Sequence, residues 1–223
     1  MINEKKDKNK YIAVLLVLSF AWNSLSYWGG RVIAHGLGLS YTDMTLPFDL
    51  VIPLVPVTVL PYFASYLFWF INYVLIATGD KYSVERFFTA DFISRVICLL
   101  FFVLMPTTLI RPETSTDTAW DTLVTFLYQM DSADNLFPSI HCLVSWFSWI
   151  GLRNRNDIPK WYKYLSLVIA IIICISTLTT KQHVVLDLFG GVILAELCYF
   201  IAGSSRLRDI YMRPVNRIIQ KIS

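Results

Sequence analysis

Six stretches of this chain run almost without charge, at 11–27, 52–78, 92–110, 139–152, 164–179 and 184–202, with short polar connections between them. A helix needs about 20 apolar residues to cross the hydrocarbon of a bilayer, and most of these runs approach that length. They lack the polar face that a helix at the surface of a soluble protein would carry. The pattern predicts an all-α integral membrane protein with six transmembrane helices. Pro53, Pro56 and Pro61 crowd the start of the second run and predict an irregular, kinked entry. The fourth run is short, rising only about 21 Å at about 1.5 Å per residue.

Composition agrees with this pattern. Of the 223 residues, 56% are hydrophobic and 16% charged, so the net charge of +3 matters less than where the charges lie. The basic segment 1–10 precedes the first apolar run in the order of a signal peptide. The run is long and no small-x-small cleavage site follows it, so it reads as an uncleaved first helix. With six spans, Lys5, Lys6, Lys8, Lys10, Lys81, Arg86, Arg153, Arg155, Lys160, Lys163 and the basic tail 204–223 gather on one side. Arg31, Arg111 and Lys181 remain on the other. Cytoplasmic loops collect lysine and arginine, so both termini are expected in the cytoplasm. The whole of 1–223 reads as one membrane-embedded domain.

The connections are expected to be simple. Residues 29–49 and 79–91 read as polar or charged loops, and 113–136 as a longer one that holds an interfacial helix near Trp120. Asp117, Asp121, Asp131 and Asp134 read as solvated, as does His35. Cys98, Cys142, Cys174 and Cys198 sit in or beside apolar runs without metal or redox spacing, and read as packing residues. Arg95 and Glu196 fall at similar depth in the third and sixth spans, where an unpaired charge is costly, so they are expected to meet.

The candidate chemistry lies at the extracytoplasmic ends of the third to sixth spans. In Thr180-Lys181-Gln182-His183-Val184-Val185-Leu186-Asp187, the histidine and aspartate are four residues apart and share a helix face. A carboxylate there can hold one imidazole nitrogen and leave the other free as base or nucleophile. Pro138-Ser139-Ile140-His141 places a second histidine at the start of the fourth helix, where free N–H groups favour an anion. Two histidines flanked by Arg111, Lys181 and Ser139 suit phosphoryl transfer, one imidazole attacking phosphorus and the other protonating the departing oxygen. No carboxylate cluster is placed to hold a divalent metal, and two histidines alone make a poor zinc site.

These residues also resemble a known family. Pro138-Ser139-Ile140-His141, then Ser176-Thr177 followed by His183 and Asp187, is similar to the second and third motifs of the type 2 phosphatidic acid phosphatase superfamily, and Arg111-Pro112 to the end of its first. The resemblance implies that His183 is the nucleophile, Asp187 its orienting partner, and His141 the general acid and then base. It implies that Arg111 and Ser139 bind phosphate. Two cations of the family pattern are missing: Leu104 stands where the first motif starts with lysine, and Thr177 where the third has arginine. Lys181 is the candidate replacement. Ser176-Thr177 is similar to the inositol phosphorylceramide synthase branch.

The resulting expectation is a metal-independent lipid phosphatase, acting on a lipid phosphate or diphosphate at the extracytoplasmic face of the plasma membrane. Transfer of a phosphorus-containing headgroup to an alcohol is the alternative, and a non-catalytic lipid-binding or transport protein on the same fold is a third. No cofactor and no nucleic-acid partner are expected.

Overall fold

The apolar runs fold as helices whose ends are set by local polar groups. The computed structural model describes residues 2–222, with side chains for 8–221. In chain order the elements are α1 (Ile2–Gly36), strand β1 (Thr42–Asp43), α2 (Pro47–Val51) and a 3-10 turn (Pro56–Thr58) leading into α3 (Val59–Ala77). There follow α4 (Lys81–Leu104), strand β2 (Thr107–Thr108), α5 (Ala119–Met130), α6 (Ile140–Arg153), α7 (Lys160–Thr179), α8 (Val185–Ile201) and α9 (Ser205–Ile222). Asp80 starts α4 by accepting the Ser83 N–H at 3.0 Å. Thr118 and Asp121 form a reciprocal cap on α5, and Ser139 Oγ accepts the Cys142 N–H at 3.2 Å to start α6.

Four helical stretches are long and apolar enough to cross a membrane: Lys8–Gly36, Pro56–Ala77, Lys81–Leu104 and Lys160–Thr179. The pair Val185–Ile201 and Ser205–Lys221, bent by 92°, makes a fifth when taken together. Among the described residues, apolar length therefore marks four or five spans where the sequence pattern marks six. The shortfall has a physical cause in α6. Its Leu143, Phe147, Ile150 and Leu152 are wholly buried, and α3, α4, α7 and α8 all pack against it. A helix wrapped by others need not match the hydrocarbon thickness with a lipid-facing surface of its own.

Several boundaries differ from the sequence pattern. The connection 29–49 is not all loop, because α1 continues through Arg31 and His35 to Gly36. Those polar residues find a polar partner: Arg31 Nε and Nη2 donate to Asp134 Oδ1 at 2.8 and 2.5 Å. Gly30 lets α1 lie close to α4, since a Cβ there would sit 2.7 Å from that of Phe102. The charged segment after Gly79 is likewise helical from Lys81. Beyond α4, β1 and β2 pair in parallel and Thr108 bridges to Asp134. The two long connections thus fold together as a cap.

The expected Arg95–Glu196 pair does not form. Arg95 Nη2 donates to Asp91 Oδ1 at 2.8 Å, one turn back on the same helix, and both side chains are 2% exposed. Asp91 also accepts from Ser19 Oγ at 2.6 Å and Tyr73 Oη at 2.9 Å. Glu196 instead receives Arg153 Nη1 and Nη2 at 2.6 and 2.9 Å, and Trp146 Nε1 at 3.0 Å. A carboxylate four residues away on one helix face reaches a guanidinium without any interhelical alignment. Asp91 is the last residue of the connection 79–91, just ahead of the apolar run at 92–110.

Lys8, Tyr11, Lys81 and Asn216 line one pocket, which puts the start of α1, the turn after α3 and the end of α9 at one end of the bundle. Arg155, from the turn after α6, joins them there by donating to Leu75 O and Ile76 O. His141 and His183 occupy the other end.

Candidate active site

The C-terminus of α7 sets the geometry. Thr180 caps the helix, Lys181 takes a left-handed conformation (φ +54°), and the Gln182 N–H returns to Thr177 O at 3.0 Å while the Lys181 N–H returns to Leu178 O at 3.2 Å. This is a Schellman closure with lysine at the position glycine usually fills. The His183 N–H is drawn to the same Thr177 carbonyl at 3.1 Å, so the histidine leaves the helix end in a fixed direction. Asp187, in the first turn of α8, then does two jobs with Oδ2. It accepts the Val184 N–H at 3.0 Å, capping α8, and meets His183 Nδ1 at 3.2 Å. A carboxylate acceptor puts the proton on Nδ1 and leaves Nε2 for a substrate. The Asp187 carboxylate is fully buried and Oδ1 has no protein partner. Burial pulls the His183 pKa down, but the hydrogen bond and charge of Asp187 outweigh it, and the net direction is up.

α6 brings the second histidine to the same place. The Ser139 N–H donates to Asp187 O at 3.1 Å, and Gly191 lets α8 approach so closely that a Cβ there would stand 2.5 Å from Ser139 O. The His141 ring stacks on Tyr62 at 4.1 Å, with the edge of Trp69 at 4.9 Å. Its Nδ1 is 3.4 Å from Tyr62 Oη. Nε2 is buried without a protein partner. The His141 and His183 ring centroids are 6.4 Å apart, and both rings line a cavity of about 370 Å³ together with Gln182 and Asp131.

Arg111 is held rigidly beside it. Nη1 donates to Asp131 O at 2.5 Å and Nη2 to Gln182 Oε1 at 2.7 Å, with the guanidinium 4.7 Å over the Tyr128 ring. Arg111 Nε and Gln182 Nε2 are buried donors without protein partners. Like His141 Nε2, these nitrogens keep hydrogen-bonding capacity that a ligand or water can use. The structure thus brings together His141, His183, Asp187, Ser139 and Arg111. It does not bring in Lys181, whose Nζ turns away to Asp49 O and Ile52 O at 2.9 and 2.5 Å.

Three participants were not anticipated. Gln182 is adjacent to the histidine, and its polarity inside the motif was the available signal. Tyr62 lies inside the apolar run 52–78 with no local feature that sets it apart. Asp49, 6% exposed, accepts the Val185 N–H at 2.8 Å and the Leu46 N–H at 2.8 Å, and nothing in the sequence connects it to α8. Asp131 and Asp134 depart from the solvated loop expected above, since both are held by partners and Asp134 is buried. Asp134 pairs with Arg31, and Asp131 accepts from Tyr27 Oη. His35 is the largely exposed residue expected, 61% open and 3.5 Å from Asp134. The four cysteines are buried and free. Among the described residues, no three His, Cys, Asp or Glu side chains converge as metal ligands would.

The family model of the PAP2 superfamily matches residues 87–208, a segment that contains Arg111, Ser139, His141, His183 and Asp187. The chain belongs to the type 2 phosphatidic acid phosphatase superfamily. No curated protein and no solved structure matched it. Membership brings a lipid phosphatase or phosphotransferase type of function in a membrane setting.

Proposed function

We propose that this PAP2-superfamily member is a membrane lipid phosphatase, removing phosphate from a lipid phosphate or diphosphate through a phosphohistidine on His183. The observation that carries the reading is the His183 Nδ1–Asp187 Oδ2 contact at 3.2 Å with His141 across the same cavity. In the first step His183 Nε2 attacks phosphorus and the bond to the leaving oxygen breaks. Protonated His141 gives that oxygen its Nε2 proton. The Tyr62 hydroxyl, donor or acceptor as required, accepts from His141 Nδ1 while the ring is charged. In the second step water attacks phosphorus, His141 takes its proton, and the P–N bond breaks to release phosphate. Arg111, Gln182 and the free N–H groups at the start of α6 hold the phosphoryl oxygens.

The site lies at the end of the bundle opposite Lys8, Lys81 and Arg155, which supports six spans, cytoplasmic termini and a site open to the extracytoplasmic face. An alcohol in place of water would make the reaction a headgroup transfer. One observation favours that second reading: Asn23 Oδ1 and Asn135 Oδ1 are buried acceptors without partners beside the catalytic cavity, a match for hydroxyl donors.

The test is trapping. Incubation with ³²P-labelled phosphatidate should label the protein through a bond that is acid-labile and alkali-stable, with turnover that persists in chelator. His183→Ala should lose both label and turnover. Full activity in that variant would overturn the mechanism, and product analysis with added glycerol or inositol separates hydrolysis from transfer.

A further inference from the structure

The catalytic cavity adjoins a second cavity of about 480 Å³ that runs between α1 and α3, and Phe20, Asn23, Tyr66 and Trp69 line both. α1 lies chiefly against α4, and α3 against α6 and α7, which leaves a cleft between α1 and α3 themselves. Its rim is apolar and open: Val17, Phe20 and Phe70 are 66%, 74% and 64% exposed, on helices long and apolar enough to cross a membrane. From Tyr62, stacked on His141, to Tyr73 at the far end, α3 descends three turns, about 16 Å. That is close to half of the hydrocarbon core of about 30 Å. The far end is polar. Arg95 lines it with Nε and Nη1 lacking partners, while Nη2 is held by Asp91.

We propose that this cleft takes one hydrocarbon chain of the lipid whose phosphate lies between His183 and Arg111, and that the Arg95–Asp91 floor limits how deep the chain reaches. This rests on the phosphoryl-transfer reading above. Continuity with the catalytic cavity fixes the occupant: a lipid phosphate placed at His183 has its chain leaving along the Phe20–Trp69 wall. Aromatic and branched side chains give that chain contacts comparable to those of lipid tails. At the floor, a methyl terminus would press on a desolvated guanidinium with unmet donors, which is unfavourable. Chains that end above Arg95 fit, and longer ones must leave the cleft.

The experiment measures kcat/KM for a series of phosphatidates of increasing chain length, and for a dibutyryl analogue, in mixed micelles at fixed surface concentration. Val17→Trp fills the cleft from its exposed rim without entering the core. It should lower the ratio of long-chain to dibutyryl kcat/KM by about tenfold, because a long chain turned out of the cleft draws its phosphate off the near-attack position. In parallel, a phosphatidate with a diazirine at mid-chain is photolysed on His183→Ala, and cross-links should map to Val17, Phe20, Tyr66 or Phe70. An unchanged ratio, or cross-links on other helices, overturns the cleft while turnover of the dibutyryl substrate leaves the phosphatase reading intact. Cross-links in the cleft with no phosphate released from any substrate would do the reverse.

Discussion

At the residue scale, the proposed mechanism makes the ionisation of His183 decide when the site is active. The nucleophile must be unprotonated, and Asp187 raises its pKa despite burial. The ascending limb of kcat/KM against pH should therefore lie above the usual imidazole range, and activity should fall as pH drops through it. Asp187→Asn removes the main influence that opposes burial at His183. Its limb should move to lower pH while the plateau kcat falls, since the developing imidazolium loses its support. A limb that does not move would separate Asp187 from His183. Lys181 poses a different question, because it stands in a left-handed conformation with its ammonium tied to two carbonyls of the segment around Asp49. Lys181→Ala keeps the backbone cost and loses the tie, whereas Lys181→Gly loses the tie but relieves the backbone. The alanine variant should be the less stable by about 1 kcal/mol, read by thermal unfolding in detergent. Equal losses would mean that strain at this position is negligible. The sequence offered Lys181 as a replacement cation because it sits two residues from His183. Adjacency in sequence does not give direction, and the Schellman closure sends the two side chains opposite ways.

At the element scale, the close crossing of α6 and α8 is what turns two helix starts into one site. Gly191 is the contact point, and the groups a Cβ would meet are Ser139 O and the Leu143 N, both backbone and unable to swing aside. Gly191→Ala should cost about 1–3 kcal/mol and lower kcat, because separating the helices draws His141 from His183. Gly36→Ala, where a Cβ meets nothing within 4 Å, is the matched control, and equal effects in the two would dismiss the crossing as the cause. The buried ion pair makes a second test at this scale. Arg95→Ala leaves Asp91 charged and desolvated, a loss of about 3–5 kcal/mol. A double-mutant cycle should show strong coupling between Arg95 and Asp91 and additivity between Arg95 and Glu196. Helix existence was legible from apolar runs, and so was the gathering of His141, His183, Asp187, Ser139 and Arg111 at one end of the bundle, because each stands at the same end of its run. What was not legible depends on tertiary partners. Arg31 looked like a loop residue until Asp134 gave its helix a polar partner, and Tyr62 like lipid-facing apolar surface until His141 stacked on it. Asp49 acts only because α2 folds back to the start of α8.

At the scale of the whole molecule, the two ends of the bundle differ in chemistry, and the proposed orientation rests on that difference. One end gathers Lys8, Lys81 and Arg155 with the turns after α3 and α6. The other holds the histidines under a cap built from α2, α5 and the paired strands. Juxtamembrane lysine and arginine stay on the cytoplasmic side during insertion, so the orientation proposed above puts the cap outside. If α6 crosses the membrane within its shell of helices, Ser132 and Asp157 must lie on opposite faces. Both are exposed, one on the cap and one at the basic end, while the four native cysteines are buried. An impermeant thiol reagent therefore reads an introduced cysteine against a low background without removing the native ones. In intact cells Ser132→Cys should label and Asp157→Cys should not, and permeabilisation should make both react. Labelling of Asp157→Cys from outside would invert the orientation and place the phosphate site in the cytoplasm. Labelling of both from outside would mean that α6 enters and leaves on one face, reducing the spans below six. Only the expected pattern is compatible with a substrate that presents its phosphate to the outer leaflet and its chain to the cleft between α1 and α3.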